Sequence, residues 1–133
     1  MSDTVFFSHV TVGTNDIARA TRFYDAVLGT LGCTRTFDHK EYVGYGRGPD
    51  GESAFWVVPP FDGQAASVGN GTHVAFNAQS RRAVDAFHAA ALGHGGSDEG
   101  KPGLRAHYHA DYYGAYVRDP DGNKLQAVCH LPE

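Results

Sequence analysis

The chain has 133 residues, 41% of them apolar, and a formal charge of −4. That length suits one domain, or two small halves sharing a core. The composition is that of a globular protein rather than a disordered chain, and the mild acidity does not suggest a basic nucleic-acid-binding surface.

Near the N-terminus, Val10 and Val12 alternate with polar residues, as in a short strand with one buried face. Asp16 is a cap-type residue, and Ile17, Ala20, Tyr24, Val27 and Leu28 behind it form the stripe of an amphipathic helix. Gly29 and Gly32 suit that helix's end. About three strands follow, broken by the turn Pro49-Asp50-Gly51. A Pro- and Gly-rich connection then leads to a second passage through the same series. Val74 and Phe76 share a strand face, Ser80 caps a helix, and Val84, Phe87, His88 and Ala91 form its stripe. Gly93–Gly103 reads as a loop, without the GK[ST] ending of a phosphate-binding one. In Leu104–Tyr113 (LRAHYHADYY), Arg105, His107 and His109 alternate, so an extended segment would place them on one face. It reads either as a lid over a ligand or as a contact between two copies of the chain. Last comes YGAYVRDPDGNKLQAV, a β-hairpin turning at Asp119-Pro120-Asp121-Gly122.

The two passages are a repeat. Ser8–Gly32 aligns without a gap on Thr72–Gly96 at an offset of 64, with His9 on His73, Phe23 on Phe87 and Leu28 on Leu92. Each unit is therefore βαβββ, spanning about 4–59 and 70–131 with a connection at 60–69, within one domain of 1–133. The fold class is α+β.

Two such units, a His at the start of each, and DPDGNKLQAV near the C-terminus together resemble the vicinal-oxygen-chelate superfamily. Its members are the glyoxalases, the extradiol dioxygenases, and the bleomycin- and fosfomycin-resistance proteins. The resemblance implies two curled sheets forming a half-open, barrel-like mixed sheet, with helices outside and a small-molecule site on the concave face. Metal-dependent members draw ligands from the first and last strands of each unit. Carried onto this chain, the metal ligands would be His9, His73 and Gln126, with Zn, Ni, Fe or Mn as the candidate metal. The family's usual glutamate is here Gln126, whose neutral carbonyl offers no charge to a divalent ion. The matching position of the first unit falls within Phe55-Trp56-Val57, none of which can bind a metal.

Candidate ligand-binding residues are Phe55 and Trp56, with Arg105, His107, His109 and Tyr113. No Ser-His-Asp or Cys-His constellation is legible, so no catalytic residue is assigned. The expected function is that of a glyoxalase/dioxygenase-like protein that acts on or binds a small molecule in a concave cavity with a weakly held divalent metal; if it is an enzyme, the resemblance implies a lyase, isomerase or dioxygenase. The alternative is a metal-free protein that sequesters a small molecule. Cys33 and Cys129 are too few and too far apart for a disulfide framework, and read as reduced thiols. No apolar run nears the ~20 residues that span a bilayer. The opening MSDTVFFSHV lacks the long apolar stretch of a secretory signal, so a cytoplasmic protein is expected. A half-open barrel leaves apolar surface that a homodimer would cover. The expected partners are thus a small-molecule ligand and a second copy, with no nucleic acid and no membrane.

Overall fold

The computed structural model describes residues 6–47 and 52–133. The first unit runs β1 (Val10–Gly13), α1 (Ile17–Gly29), β2 (Cys33–His39), β3 (Tyr42–Arg47) and β4 (Phe55–Val58). The second runs β5 (His73–Asn77), α2 (Arg81–Gly93), β6 (Ser97–Leu104), β7 (Tyr113–Arg118) and β8 (Lys124–Cys129). Each unit makes one four-stranded mixed sheet, ordered β1-β4-β3-β2 and β5-β8-β7-β6. In each, the first and last strands pair in parallel and the rest are antiparallel. The turn Pro49-Asp50-Gly51 lies outside the described residues.

Local chemistry sets the helices. Asp16 accepts a hydrogen bond from the Arg19 amide and Ser80 one from the Ala83 amide, each satisfying a donor that the first turn leaves free. The buried residues of α1 are Ala20, Phe23, Tyr24, Val27 and Leu28, and those of α2 are Val84, Phe87, His88 and Ala91. Of these, only Phe23 lies outside the predicted stripes. Among the described residues, no helix is long and apolar enough to cross a membrane.

The helix-facing sides of both sheets share one core. From the first unit come Val43, Tyr45, Phe55 and Val57, and from the second Ala115, Val117, Leu125, Ala127 and Cys129, with Val10, Val12, Val74 and Phe76 packed alongside. Across the seam α1 lies against α2, and the rings of Phe55 and Phe76 meet edge to face at 5.1 Å. Burying a side chain of this kind contributes about 1.5–3 kcal/mol.

The Asp119-Pro120-Asp121-Gly122 turn forms as predicted. Gly122 N–H bonds Asp119 C=O at 2.9 Å, and Gly122 sits at φ +95°, a conformation that needs glycine. The turn is also a joint. The buried Asp119 carboxylate accepts from Tyr24 Oη of α1 at 2.5 Å, from the Asp121 and Asn123 amides at 2.9 Å, and from Asn123 Nδ2 at 2.9 Å. Asp121 reaches the β1–α1 corner, accepting from Thr14 Oγ1 (2.6 Å), the Asn15 amide (2.9 Å) and Arg19 (3.0 Å). Asn123 Nδ2 also donates to Gly13 C=O at 3.0 Å.

Two expectations are corrected. Gly93–Gly103 is not a loop, because Ser97–Leu104 forms strand β6. It lies at the sheet edge, where Gly and Pro are tolerated, and its register slips between Asp98 and Gly100 and between Gly100 and Gly103. Asp98 anchors it by accepting from His88 Nε2 of α2 at 2.8 Å. Residues 105–112 are not extended either; they turn twice between β6 and β7. The alternation of Arg105, His107 and His109 therefore puts them on no common face.

Candidate functional site

Because side chains alternate along a strand, each sheet turns one face to the helices and leaves the other open. In the second unit Leu125, Ala127, Ala115 and Val117 are fully buried on the helix side. The intervening residues make the open face: His73, Ala75 and Asn77 of β5, Lys124 and Gln126 of β8, and Gly114 and Tyr116 of β7. The 105–112 turns bring Tyr108 and Tyr112 toward this face, with ring centroids 4.8 Å apart.

Gln126 lies on the open face and is only 1% exposed. Its Nε2 donates to Tyr112 Oη at 2.5 Å. Gly114 makes the room: a Cβ there would stand 3.2 Å from Gln126 Nε2 and 3.4 Å from the Tyr112 ring. Tyr116 has three polar neighbours. The His73 ring lies edge-on at 5.8 Å, Lys124 Nζ is 5.2 Å from its centroid, and Arg105 Cζ is 5.7 Å from it. Burial and the neighbouring Tyr108 and Tyr112 push the Tyr116 hydroxyl up to about 12, so it stays protonated at neutral pH.

The open face of the first unit is apolar. His9, Thr11, Tyr42, Trp56, Val58, Pro59 and Phe61 line a cavity of about 360 Å³. Strand register settles which residue is the counterpart of Gln126. Trp56 pairs with Thr11 as Gln126 pairs with Ala75, and Thr11 and Ala75 are equivalent in the repeat. Gly44 lies opposite Trp56, where a Cβ would come within 3.2 Å of the indole, and the Phe37 ring is 5.1 Å from it.

The other predicted residues divide. Phe55 and Trp56 are neighbours, and only Trp56 is on the open face; Phe55 packs in the core against Tyr24 at 5.2 Å. Tyr113 likewise faces the helices, donating to Asp85 of α2 at 2.6 Å beneath the Arg81 guanidinium. The residues that reach the open face in its stead are Tyr112, one of the tyrosines of the Leu104–Tyr113 segment, and Tyr116, which the sequence does not single out. Arg105 folds back, donating to Gly103 C=O and Lys101 C=O at 2.8 Å each. The His107 ring packs against Tyr108, tilted by 41° with centroids 4.3 Å apart. His109 accepts the Asp111 amide at Nδ1 (3.1 Å), which leaves its Nε2–H to donate to His130 Nδ1 at 2.9 Å.

His9 and His73 both stand beside an open face, but within one chain they belong to different ones. His9 pairs with Ser8 Oγ at 2.8 Å and lines the first unit's cavity, whereas His73 meets Tyr116 in the second. Among the described residues, no three His, Cys, Asp or Glu side chains converge. Within one chain, Zn, Ni, Fe or Mn would find two imidazoles on separate faces and, at Gln126, a neutral amide oxygen in place of an anion. The last-strand positions carry Trp56 and Gln126, so no carboxylate stands at either. This donor set does not fit a tightly held divalent metal.

The fold and faces define a class: an α+β protein of two tandem βαβββ units, each with one sheet face packed on the helices and the other turned away from them. The family model of the Glyoxalase/Bleomycin resistance protein/Dioxygenase superfamily matches residues 6–127, and the chain belongs to that superfamily. A glyoxalase/bleomycin resistance protein from Albidiferax ferrireducens T118 is 45% identical, with a TM-score of 0.84 over 96% of this chain and 100% of that one. Two more distant structures share the fold alone. A glyoxalase-related enzyme from Fulvimarina pelagi is 20% identical (TM-score 0.70, 94% of this chain and 88% of that one). A fosfomycin resistance protein from Listeria monocytogenes is 15% identical (TM-score 0.66, 98% and 96%). Among proteins of curated function, none matches the sequence.

Proposed function

We propose that this protein binds a small organic molecule against the open faces of its two units, in a site completed by a second copy of the chain and independent of a tightly held metal. The observation that carries this reading is Gln126. It occupies the strand position where metal-dependent relatives place a carboxylate, yet it is buried, neutral and hydrogen-bonded to Tyr112. An amide held in that way positions the Tyr112 ring over the open face; it supplies neither charge to a cation nor a base to a substrate. The bleomycin- and fosfomycin-resistance members of the superfamily make ligand handling without glyoxalase chemistry a natural function for the fold.

The second copy is supported by the distribution of groups. One unit's open face is aromatic and apolar, the other's is polar and tyrosine-rich, and Phe61, Tyr42, Phe37 and Leu131 are all exposed. A two-fold pairing sets the first unit of one chain against the second unit of its partner and covers such surface. Light scattering should give twice the 14.3 kDa chain mass, and a monomer at tens of micromolar would refute the pairing.

A thermal-shift screen of metabolites and antibiotics in chelator-treated buffer tests binding. Stabilisation by an organic compound without metal supports the proposal. Stabilisation that requires added Zn, Ni, Mn or Fe favours the second reading, a metal-assisted lyase, isomerase or dioxygenase. The placement of His9 and His73 beside the open faces, at equivalent positions of the repeat, is what supports that alternative.

A further inference from the structure

The two open faces differ in charge and in aromatic character, and together they specify a ligand. On the second face Arg105 and Lys124 flank Tyr116, with Lys124 Nζ 5.2 Å and Arg105 Cζ 5.7 Å from its ring. Among the described residues, neither of these cations has a carboxylate within pairing distance, and the one ion pair beside them, Arg118 with Glu99, is closed on itself at 3.3 Å. In a chain of net charge −4, two unpaired cations beside one tyrosine are a local excess of positive charge. Arg105 is held in place by its bonds to Gly103 and Lys101, so its position does not depend on a ligand. His73 and the protonated Tyr116 hydroxyl add two more hydrogen-bonding groups beside them.

From this we infer that the ligand is a planar aromatic carboxylate, its anion held by Lys124 and Arg105 beside Tyr116 and its ring held against Trp56 and Phe37. The inference rests on the proposed function, in which the two open faces belong to one ligand site. A single negative charge fits better than a phosphate. Phosphate sites draw on clustered backbone amides or a free helix N-terminus, and both helix N-termini here are closed by their own caps, Asp16 and Ser80. A cationic ligand would meet like charges. The ring is assigned to the first unit because Trp56, Phe37 and Tyr42 there offer flat apolar surface and few hydrogen-bonding groups.

Calorimetric titration with 2-naphthoate, 2-naphthamide and 2-naphthylmethylammonium tests the assignment, with light scattering on the same samples. The acid should bind at least about tenfold more tightly than its isosteric amide, a difference of charge alone. Lys124→Met and Arg105→Gln should each remove most of that preference while melting as the wild type does. Failure of the acid to bind at millimolar concentration, equal binding of acid and amide, or tighter binding of the ammonium compound would overturn the inference. The assembly state separates the two levels. A dimer that does not discriminate acid from amide overturns the anion assignment alone. A monomer that still prefers the acid, and loses the preference with Lys124→Met, supports the anion subsite and overturns the shared site.

Discussion

Replacing Asp119 by Ala should be among the most damaging single changes in the chain, although the residue sits in a turn. Its carboxylate is 4% exposed and accepts four hydrogen bonds, one from α1 of the other unit. Alanine would leave Tyr24 Oη, in a fully buried residue, without an acceptor, which costs about 1–3 kcal/mol. It would also release the Asp121 and Asn123 amides that shape the turn, at roughly 1 kcal/mol each. The sum is a loss of about 3–5 kcal/mol, a large fraction of the stability of a domain this size. Asp119→Asn keeps an acceptor for the turn amides and should lose about half as much. Urea denaturation followed by far-UV circular dichroism measures both, and a double-mutant cycle with Tyr24→Phe isolates the bond across the seam. If Asp119→Ala lowers stability by less than about 1 kcal/mol at unchanged denaturant slope, the turn does not join the two units and the assigned network is wrong.

Two further outcomes follow from the faces of the strands. Val74→Asp and Val10→Asp should each cost about 3 kcal/mol or more, because they place an unpaired carboxylate against the core, whereas His73→Ala and His9→Ala should cost under about 1 kcal/mol; the reverse order in denaturation would mean that the strands face the other way. Stability should also fall in alkali. Tyr24 and Tyr116 titrate above their ordinary value of 10.0, so the folded chain disfavours tyrosinate; this contribution is complete below about pH 10 and is lost as the pH rises toward 12. Denaturation at pH 9 and pH 11 reads the fall, Tyr116→Phe should lessen it, and a flat profile would refute the burial of these hydroxyls.

Features that depend on local pattern are legible in the sequence. The caps at Asp16 and Ser80, the helix stripes and the turn at Asp119 follow from hydrogen-bonding chemistry and period, and the repeat alone assigns Val10 and Val74 to the helix side. The site is legible only in outline. A period of two makes neighbours opposites, so residue type points to Phe55 and Tyr113 as readily as to Trp56 and Tyr112, and only strand register tells which pair reaches the open face. The 105–112 segment has no period, because turns have none, and its alternating Arg and His residues mislead. Lys124 gives no signal, since a lysine opening a strand ordinarily reads as a solvated end. Its place over Tyr116 arises from the pairing of β7 with β8.

The status of Gln126 decides between a metal-independent site and a metal centre. Calorimetric titration of Zn into the wild type and into Gln126→Glu, both stripped with chelator, addresses it directly. The wild type should bind weakly and below one ion per chain, and the glutamate variant at least about tenfold more tightly, since it restores an anion on the face that carries His73. One ion per chain held by the wild type at submicromolar affinity, with no gain from glutamate, would contradict the account.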